Sequence, residues 1–373
     1  MKVWPVLGIS FIQALLLLAH WCIYRTLVVF WWPLSPGSTH ALQAAFFLLS
    51  ISFVVAALLG FRFSNWPVAL LYKIAAVWLG FLNFFFFAAC LCWLVNFALL
   101  LSPLASTLPR NRPLIAAVLF ALALVTGIYG LLNARWIRVR HIPVNLPNLP
   151  QSWRGRTALL LSDLHLGHVN GLRFARRIVA LATRLRPDIV FLPGDFFDGS
   201  KKDPDRLAAP FKNLSPPFGI YFSTGNHEEY GGAAEYHEVV TRAGIRVLAN
   251  ERVTVDGLHI LGMPYGDSTS ILRVRAIFEA LRLDPAQASI LLNHSPSRLA
   301  QVEQAGVSLQ LSGHTHGGQL FPFTWFIRRA FGKFAYGLQR FGALQVYTSS
   351  GAGTWGPPMR VGTHPEIVLF QFE

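Results

Sequence analysis

Residues 157–165 read TALLLSDLH, and residues 307–316 read VSLQLSGHTH. Each is an apolar run of strand length that breaks off in a cluster of aspartate or histidine. The same pattern recurs between them. Asp188-Ile-Val-Phe-Leu192 leads into Pro193-Gly194-Asp195-Phe-Phe-Asp198, Gly219-Ile-Tyr-Phe222 into Thr224-Gly225-Asn226-His227-Glu228, and Ala288-Ser-Ile-Leu-Leu292 into Asn293-His294. A sixth run, Leu258-His-Ile-Leu261, ends at Gly262. Short apolar runs alternating with helical stretches predict layered α/β structure. Polar residues just past the strands predict a site at the carboxyl edge of a sheet.

The residue types fix the chemistry that such an edge can support. Asp163, His165, Asp195, Asn226, His294, His314 and His316 supply imidazole, carboxylate and amide oxygen, and no thiolate. This mixed nitrogen and oxygen set suits Mn, Fe or Zn. It is too rich for one tetrahedral site and right for two divalent ions sharing a carboxylate. Two such ions roughly 3.5–4 Å apart bind phosphoryl oxygens and acidify a water. In extended backbone, residues i and i+2 share a face, so Asp163 would aim with His165, and His314 with His316. Glycines ahead of Asp195, Asn226 and His314 permit a sharp turn and close backbone approach. Singly, D-x-H, G-N-H and H-x-H are common. The ordered set D-x-H, G-D-x-x-D, G-N-H-E, H and G-H-x-H, each piece after an apolar strand, is specific.

That set resembles the calcineurin-like metallophosphoesterase superfamily over residues 154–373. The ending GHTHGGQ, YTSSGAGTWGPPMR and HPEIVLF resembles its membrane-associated branch, which includes bacterial phosphodiesterases and a UDP-diacylglucosamine pyrophosphatase of the lipid A pathway. The resemblance implies a central β-sandwich flanked by helices. It implies one metal on Asp163, His165, Asp195 and His316 and a second on Asp195, Asn226, His294 and His314, with Asp195 bridging. It gives His227 the role of stabilising the transition state or protonating the leaving oxygen. The residues agree: His227 lies beside a ligand and is not needed to complete a site.

The N-terminal part has another character. No Asp or Glu precedes Asp163, and the stretch through Ser162 holds 11 of the 32 basic residues, so the formal charge of +14 resides mainly there. Four runs free of charged residues, Val3–Tyr24, Ala41–Phe61, Ile74–Leu101 and Leu114–Ala134, are long enough to cross roughly 30 Å of hydrocarbon. They predict a four-span transmembrane bundle over 1–140, with turns at 33–37, 65–67 and 102–113. Trp31, Trp32, Trp66 and Trp136 stand near the ends of the runs, as interfacial aromatics do. The first run is too long for a signal-peptide core and has no small-x-small cleavage site after it. With the N-terminus inside, Lys2, Arg62, Lys73, Arg135, Arg138 and Arg140 flank the spans on the cytoplasmic side, against Arg25, Arg110 and Arg112 outside. That bias favours a cytoplasmic catalytic domain on a bacterial inner membrane. Residues 141–153, which begin HIPVNLPNLP, read as an extended linker before a domain at 154–373. The three cysteines, Cys22, Cys90 and Cys92, all lie in the apolar part.

The remaining polar residues carry weaker expectations. His168, His237, His259 and His364 read as surface or packing histidines. Asp198 suits either an acceptor for a ligand histidine or a loop cap, and Glu228 reads slightly better as solvated. Arg360 and Gln319 serve either substrate or structure. Residues 320–341, LFPFTWFIRRAFGKFAYGLQRF, are aromatic, basic and free of acid. They form either a packed insertion or a lip that enters the headgroup region and admits a lipid-linked substrate. Together these readings predict a membrane-anchored hydrolase of a phosphodiester or pyrophosphate, with the bilayer and a phosphate ester as partners. The alternatives are a broad phosphomonoesterase and a non-catalytic metal-dependent scaffold. Nucleic acid is disfavoured, because the domain is tethered and its charge is nearly balanced, with 21 basic against 18 acidic residues after Ser162.

Overall fold

The computed structural model describes residues 3–31 and 35–373; Lys2, Trp32 and Pro33 lie outside the described residues. The chain divides into two compact units. One ends at Leu132 and includes Gly356–Met359; the other comprises Asn133–Trp355 and Arg360–Glu373.

The first unit is built from α1 (Val3–Phe30), α2 (Pro36–Arg62), α3 (Trp66–Leu100) and α4 (Leu108–Asn133). At about 1.5 Å rise per residue each exceeds the thickness of a bilayer core. Four apolar helices of this length make the chain an integral membrane protein. The residues expected to break the spans start the helices. Ser35 and Asn65 cap α2 and α3 by accepting from Ser38 N and Val68 N, with a proline in each first turn. Pro113, expected in a turn, stands inside α4, near its N-terminus. The outward side chains are large and apolar, among them Phe47, Leu48, Leu94, Phe97, Leu122 and Val125. Inside, α3 buries small residues, Ala75, Ala76, Gly80, Ala88 and Ala89, which let helices approach closely. Interior polar groups pair, as they must where water is absent. Trp78 Nε1 donates to His20 Nε2, Trp93 Nε1 to Thr26 Oγ1 and Arg112 Nε to Asn96 Oδ1, each at 2.9 Å.

The second unit contains twelve strands: β1 (Arg138–Val144), β2 (Thr157–Leu160), β3 (Ile189–Leu192), β4 (Ile220–Phe222), β5 (Arg246–Val247), β6 (Glu251–Val255), β7 (Leu258–Met263), β8 (Ser289–Asn293), β9 (Leu309–Ser312), β10 (Gly337–Phe341), β11 (Leu344–Thr348) and β12 (Glu366–Phe372). They form two six-stranded sheets, ordered β1-β12-β2-β3-β4-β5 and β10-β11-β9-β8-β7-β6. β2 through β5 run parallel in the first, and β7, β8, β9 and β11 in the second. Alternate side chains serve two cores. Ala158, Leu160, Ile189 and Phe191 meet Ile260, Ile290, Leu292 and Leu311 between the sheets. Leu159, Leu161, Val190 and Leu192 pack on the helix Leu172–Leu185. Leu261, Leu291 and Val346 pack on the helices Ile271–Leu281 and Leu299–Gln304. Strands buried on both faces explain why the runs are apolar without alternation. The sandwich flanked by helices is the architecture expected.

Two expectations change. The linker placed at 141–153 begins inside β1, which pairs in parallel with β12 from Arg138↔Glu366 to Val144↔Phe372. The strand is an edge, so Pro143 is tolerated although it lacks an N–H. Extended backbone was read correctly, but its partner lies more than 220 residues away in the chain and leaves no local signal. The segment 320–341 is also not one piece. Phe323–Phe331 is a helix, whereas Gly337–Phe341 is β10, paired antiparallel with β11.

Candidate metal centre

The predicted ligands stand just past the carboxyl ends of five strands. Asp163 and His165 follow β2, Asp195 follows β3, Asn226 opens the helix Asn226–Gly231 after β4, His294 follows β8, and His314 and His316 follow β9. Neighbouring parallel strands thus bring loops from both sheets to one place. The backbone there is not extended. Asp163, His165, Asp195, His314 and His316 all have positive φ, between 46° and 69°. The i, i+2 argument for shared direction therefore fails; left-handed turns aim these side chains, a costly conformation that concentrates at functional sites. Close approach explains the glycines. Gly194 has φ +97°, and a Cβ there would lie 2.7 Å from His294 Nδ1. A Cβ at Gly313 would strike Asp163 and Ser162.

The side chains converge in two buried groups, Asp163–His165–His316 and Asp163–Asp195–His294, with His165–Asp195–His227 adjoining them. His165 Nε2 and His316 Nε2 face each other at 2.9 Å. Asp163 Oδ1 is 3.5 Å from His316 Nε2, and Asp195 Oδ2 is 3.2 Å from His294 Nε2 and 3.6 Å from His165 Nε2. Asn226 Oδ1 lies 3.0 Å from His314 Nδ1. All seven expected ligands, with His227, belong to this one network.

Supporting bonds set the orientations. His294 Nδ1 lies 2.8 Å from the carbonyl of Pro193, which keeps the proton there and turns Nε2 toward Asp195. His227 N donates to Asp195 Oδ1 at 3.0 Å, and its Nδ1 is held 2.9 Å from the carbonyl of Asp198. Asp163 receives Ser162 Oγ at 2.5 Å and His314 N at 2.9 Å. Electrostatics follow from burial and proximity. Burial pushes the Asp163 carboxyl up. Against its own burial, Asp195 is held far below the usual carboxylate range by His294 and His165. Burial, joined at His316 by the charge of Arg360, pushes His165 and His316 well below the ordinary imidazole value. Burial and then His294 bring His314 down to about 4. Burial also opposes charge on His294, yet Asp195 lifts it to about 9.

This donor set fits two divalent ions. Neutral imidazoles and ionised carboxylates are the forms that bind metal. Among the described residues His165 Nδ1 is buried with no hydrogen-bond partner, and buried His294 Nε2 faces only the Asp195 carboxylate, at 3.2 Å. Two imidazole nitrogens at 2.9 Å share at most one proton between them, and a cation satisfies both lone pairs. A dication also answers the Asp195 charge that otherwise protonates His294.

Comparison with known proteins decides the family. The sequence profile of calcineurin-like phosphoesterases matches residues 157–318. An uncharacterized metallophosphoesterase of Campylobacter jejuni is 30% identical over 295 residues, which is 76% of this chain and 77% of that protein. This chain belongs to the calcineurin-like phosphoesterase family. An Aquifex aeolicus metallophosphoesterase is 31% identical over 66% of this chain and 96% of its own length. A Danio rerio transmembrane protein with a metallophosphoesterase domain is 33% identical over 65% of this chain and 59% of its own.

Around this phosphoesterase centre several residues differ from their sequence reading. Glu228 is fully buried, not solvated, and accepts from the backbone N–H of Asp195, Phe197 and Gly225 at 3.0, 2.9 and 2.8 Å. Burial and then the Asp195 charge push it up to about 7. A signal was present, because glutamate at the third helical position after Gly225 is half of a capping box. The Asp198 carboxylate caps its loop, receiving His168 N and Ser200 N, while its carbonyl holds His227. Arg360 is fully buried and ties His316 O to the carbonyls of Ser350 and Gly353, a structural role. Gln319 pairs with the backbone of Trp355. His168 and His259 are buried and His237 and His364 half-buried, which favours the packing side of their reading. Two aromatics were missed: Trp355, exposed with its ring 5.7 Å from that of His227, and Tyr265, 5.5 Å from His314.

Proposed function

We propose that this protein is a membrane-anchored, binuclear metal-dependent hydrolase of a phosphodiester or pyrophosphate, and that its substrate is lipid-linked. The observation that carries the reading is the buried convergence of seven nitrogen and oxygen donors around Asp195, with His227 at its edge. In this reading Asp163, His165, Asp195 and His316 hold one ion, and Asp195, Asn226, His294 and His314 the other. When bound, the pair supplies Lewis-acid neutralisation of phosphoryl oxygens and acidifies water. Asp195 is suited to serve both sets because its Oδ2 lies 3.6 Å from His165 Nε2 and 3.2 Å from His294 Nε2, one from each set, while the His227 amide holds Oδ1. His227 has Nδ1 fixed on the Asp198 carbonyl, which leaves Nε2 to give a proton to the leaving oxygen or to stabilise the charge that develops on it.

The lipid preference rests on the helix Phe323–Phe331, which begins seven residues after His316. Phe323, Trp325 and Phe326 are exposed, and Arg328 and Arg329 occupy its last turn. Aromatic side chains with basic neighbours suit an anionic membrane interface. The basic residues Arg135, Arg138 and Arg140, which follow α4, support a cytoplasmic domain in this reading.

The test is turnover of purified full-length protein with Mn, Fe or Zn on an aryl phosphodiester, an aryl phosphomonoester, a nucleotide-linked lipid and its delipidated headgroup. The reading expects diester or pyrophosphate cleavage and preference for the lipid. Faster monoester cleavage would favour a broad phosphomonoesterase, and metal binding without turnover a non-catalytic scaffold.

A further inference from the structure

A cavity of about 140 Å³ opens beside the helix Phe323–Phe331; Gly317, next in the chain to His316, is among its lining residues, but no metal ligand is. Arg328, Tyr336, Ser350, Thr363 and His364 are among its lining residues. Most of its polar atoms are already engaged. Tyr336 donates to Glu366 at 2.7 Å, Ser350 Oγ to the His364 carbonyl at 2.7 Å and Thr363 Oγ1 to the Gln319 carbonyl at 3.2 Å. The Arg328 guanidinium and the His364 ring are not. β1 runs beside this wall: Arg138 N donates to the carbonyl of Pro365, next in the chain to His364, at 3.0 Å, and burial, then the charges of Arg138, Arg140 and Arg360, push His364 down.

The positive charge is uncompensated. Arg156, Arg242 and Arg273 each have a carboxylate partner. No carboxylate among the described residues is within ion-pair distance of Arg138, Arg140 or Arg328. Glu366, the acid nearest in this network, is spent on Tyr336, Tyr347, Ser349 and the Ser350 amide.

The cavity also has a defined place along the chain. Asn133 is the last residue of α4, and its Nδ2 donates to the carbonyls of Arg360 and Thr363 at 2.9 and 2.8 Å. The cavity wall at Thr363 is thus bonded to the last residue of α4. Arg138 follows five residues later and stacks over exposed Trp136, with 5.5 Å from the guanidinium carbon to the ring centroid. Tryptophan and arginine at the end of a span are interfacial residues. Basic pockets at this depth bind lipid phosphates.

We propose that this cavity binds the phosphate of an anionic membrane lipid that is not the substrate, with Arg328 and Arg138 as its principal cations. The site adjoins the metal centre at Gly317 but shares none of its ligands, and it does not depend on the reaction assigned to that centre. The test is native mass spectrometry of the full-length protein released from micelles containing phosphatidylglycerol or phosphatidylcholine, with glycerol phosphate as a third probe. Excess aryl phosphodiester is included to occupy the metal centre. One phosphatidylglycerol should be retained in preference to phosphatidylcholine and should survive the competitor. Arg328→Gln and Arg138→Gln should each weaken retention about fivefold, Arg328→Lys should restore it, and Arg242→Gln, paired with Asp205 and outside the cavity, should leave it unchanged. Equal retention of phosphatidylcholine, equal loss in Arg242→Gln, displacement by the competitor, or glycerol phosphate binding as tightly as the lipid would each overturn the assignment.

Discussion

Replacing Glu228 with Gln tests how the centre is held together. The carboxylate joins the loop after β3 to the loop after β4 by accepting three backbone N–H groups, two on Oε2 and one on Oε1. Glutamine has the same shape and one acceptor. If its oxygen takes the Asp195 and Gly225 amides, its NH2 faces the Phe197 N–H, donor against donor. One charge-assisted bond is lost and one buried N–H is left unsatisfied, at about 1–3 kcal/mol for such a group. We take about 2 kcal/mol for Gln. Glu228→Ala abandons all three donors and opens a cavity, and should cost about 4 kcal/mol. At about 1.4 kcal/mol per factor of ten, Gln should raise local opening roughly 30-fold. The assay is hydrogen exchange by mass spectrometry over peptides covering 193–198 and 223–228, with metal content measured on the same samples. Exchange should rise in both segments together, in the order wild type, Gln, Ala, and metal occupancy should fall in the same order. Unchanged exchange in Gln, or an effect in one loop only, would refute the idea that Glu228 couples them.

Three further outcomes follow from the same geometry. His227→Ala should retain metal while turnover falls roughly 10²- to 10⁴-fold, whereas His316→Ala should lose metal; equal metal loss in both would remove the distinction between them. Changing Trp325 and Phe326 to Ser should abolish preference for a lipid-linked over a delipidated substrate in kcat/KM and spare a small aryl phosphodiester. At about 0.8 kcal/mol per buried methylene, contact with two methylenes already gives a preference of about tenfold or more. A reporter fused after Glu373 should be active in the cytoplasm, and activity confined to the exported side would reverse the topology.

The parts legible in the sequence are those that local composition determines. The strands β2, β3, β8 and β9 announced themselves because both faces are buried, and the ligands because each follows such a run. The four spans were legible because hydrocarbon tolerates no unpaired charge over about 20 residues. What escaped depends on partners distant in the chain. β1 pairs with β12 at the other end of the domain, and Arg360 and Trp355 acquire their neighbours only when 350–360 folds back on His316 and His227. Glu228 looked like a surface acid because its capping-box position announces only the Gly225 amide, whereas the Asp195 and Phe197 amides come from the loop after β3. The left-handed backbone at Asp163, His165, Asp195, His314 and His316 has no signature in residue type, since aspartate and histidine are present for their donor atoms.

The central claim is that Asp195 joins two metal ions in one buried centre. Elemental analysis of full-length protein purified without chelator, beside Asp195→Asn prepared identically, tests it most directly. The account predicts about two transition-metal ions per wild-type chain and loss of both, not one, in the variant. A folded and active wild-type protein with no bound metal, or a variant that keeps its full complement, would contradict it.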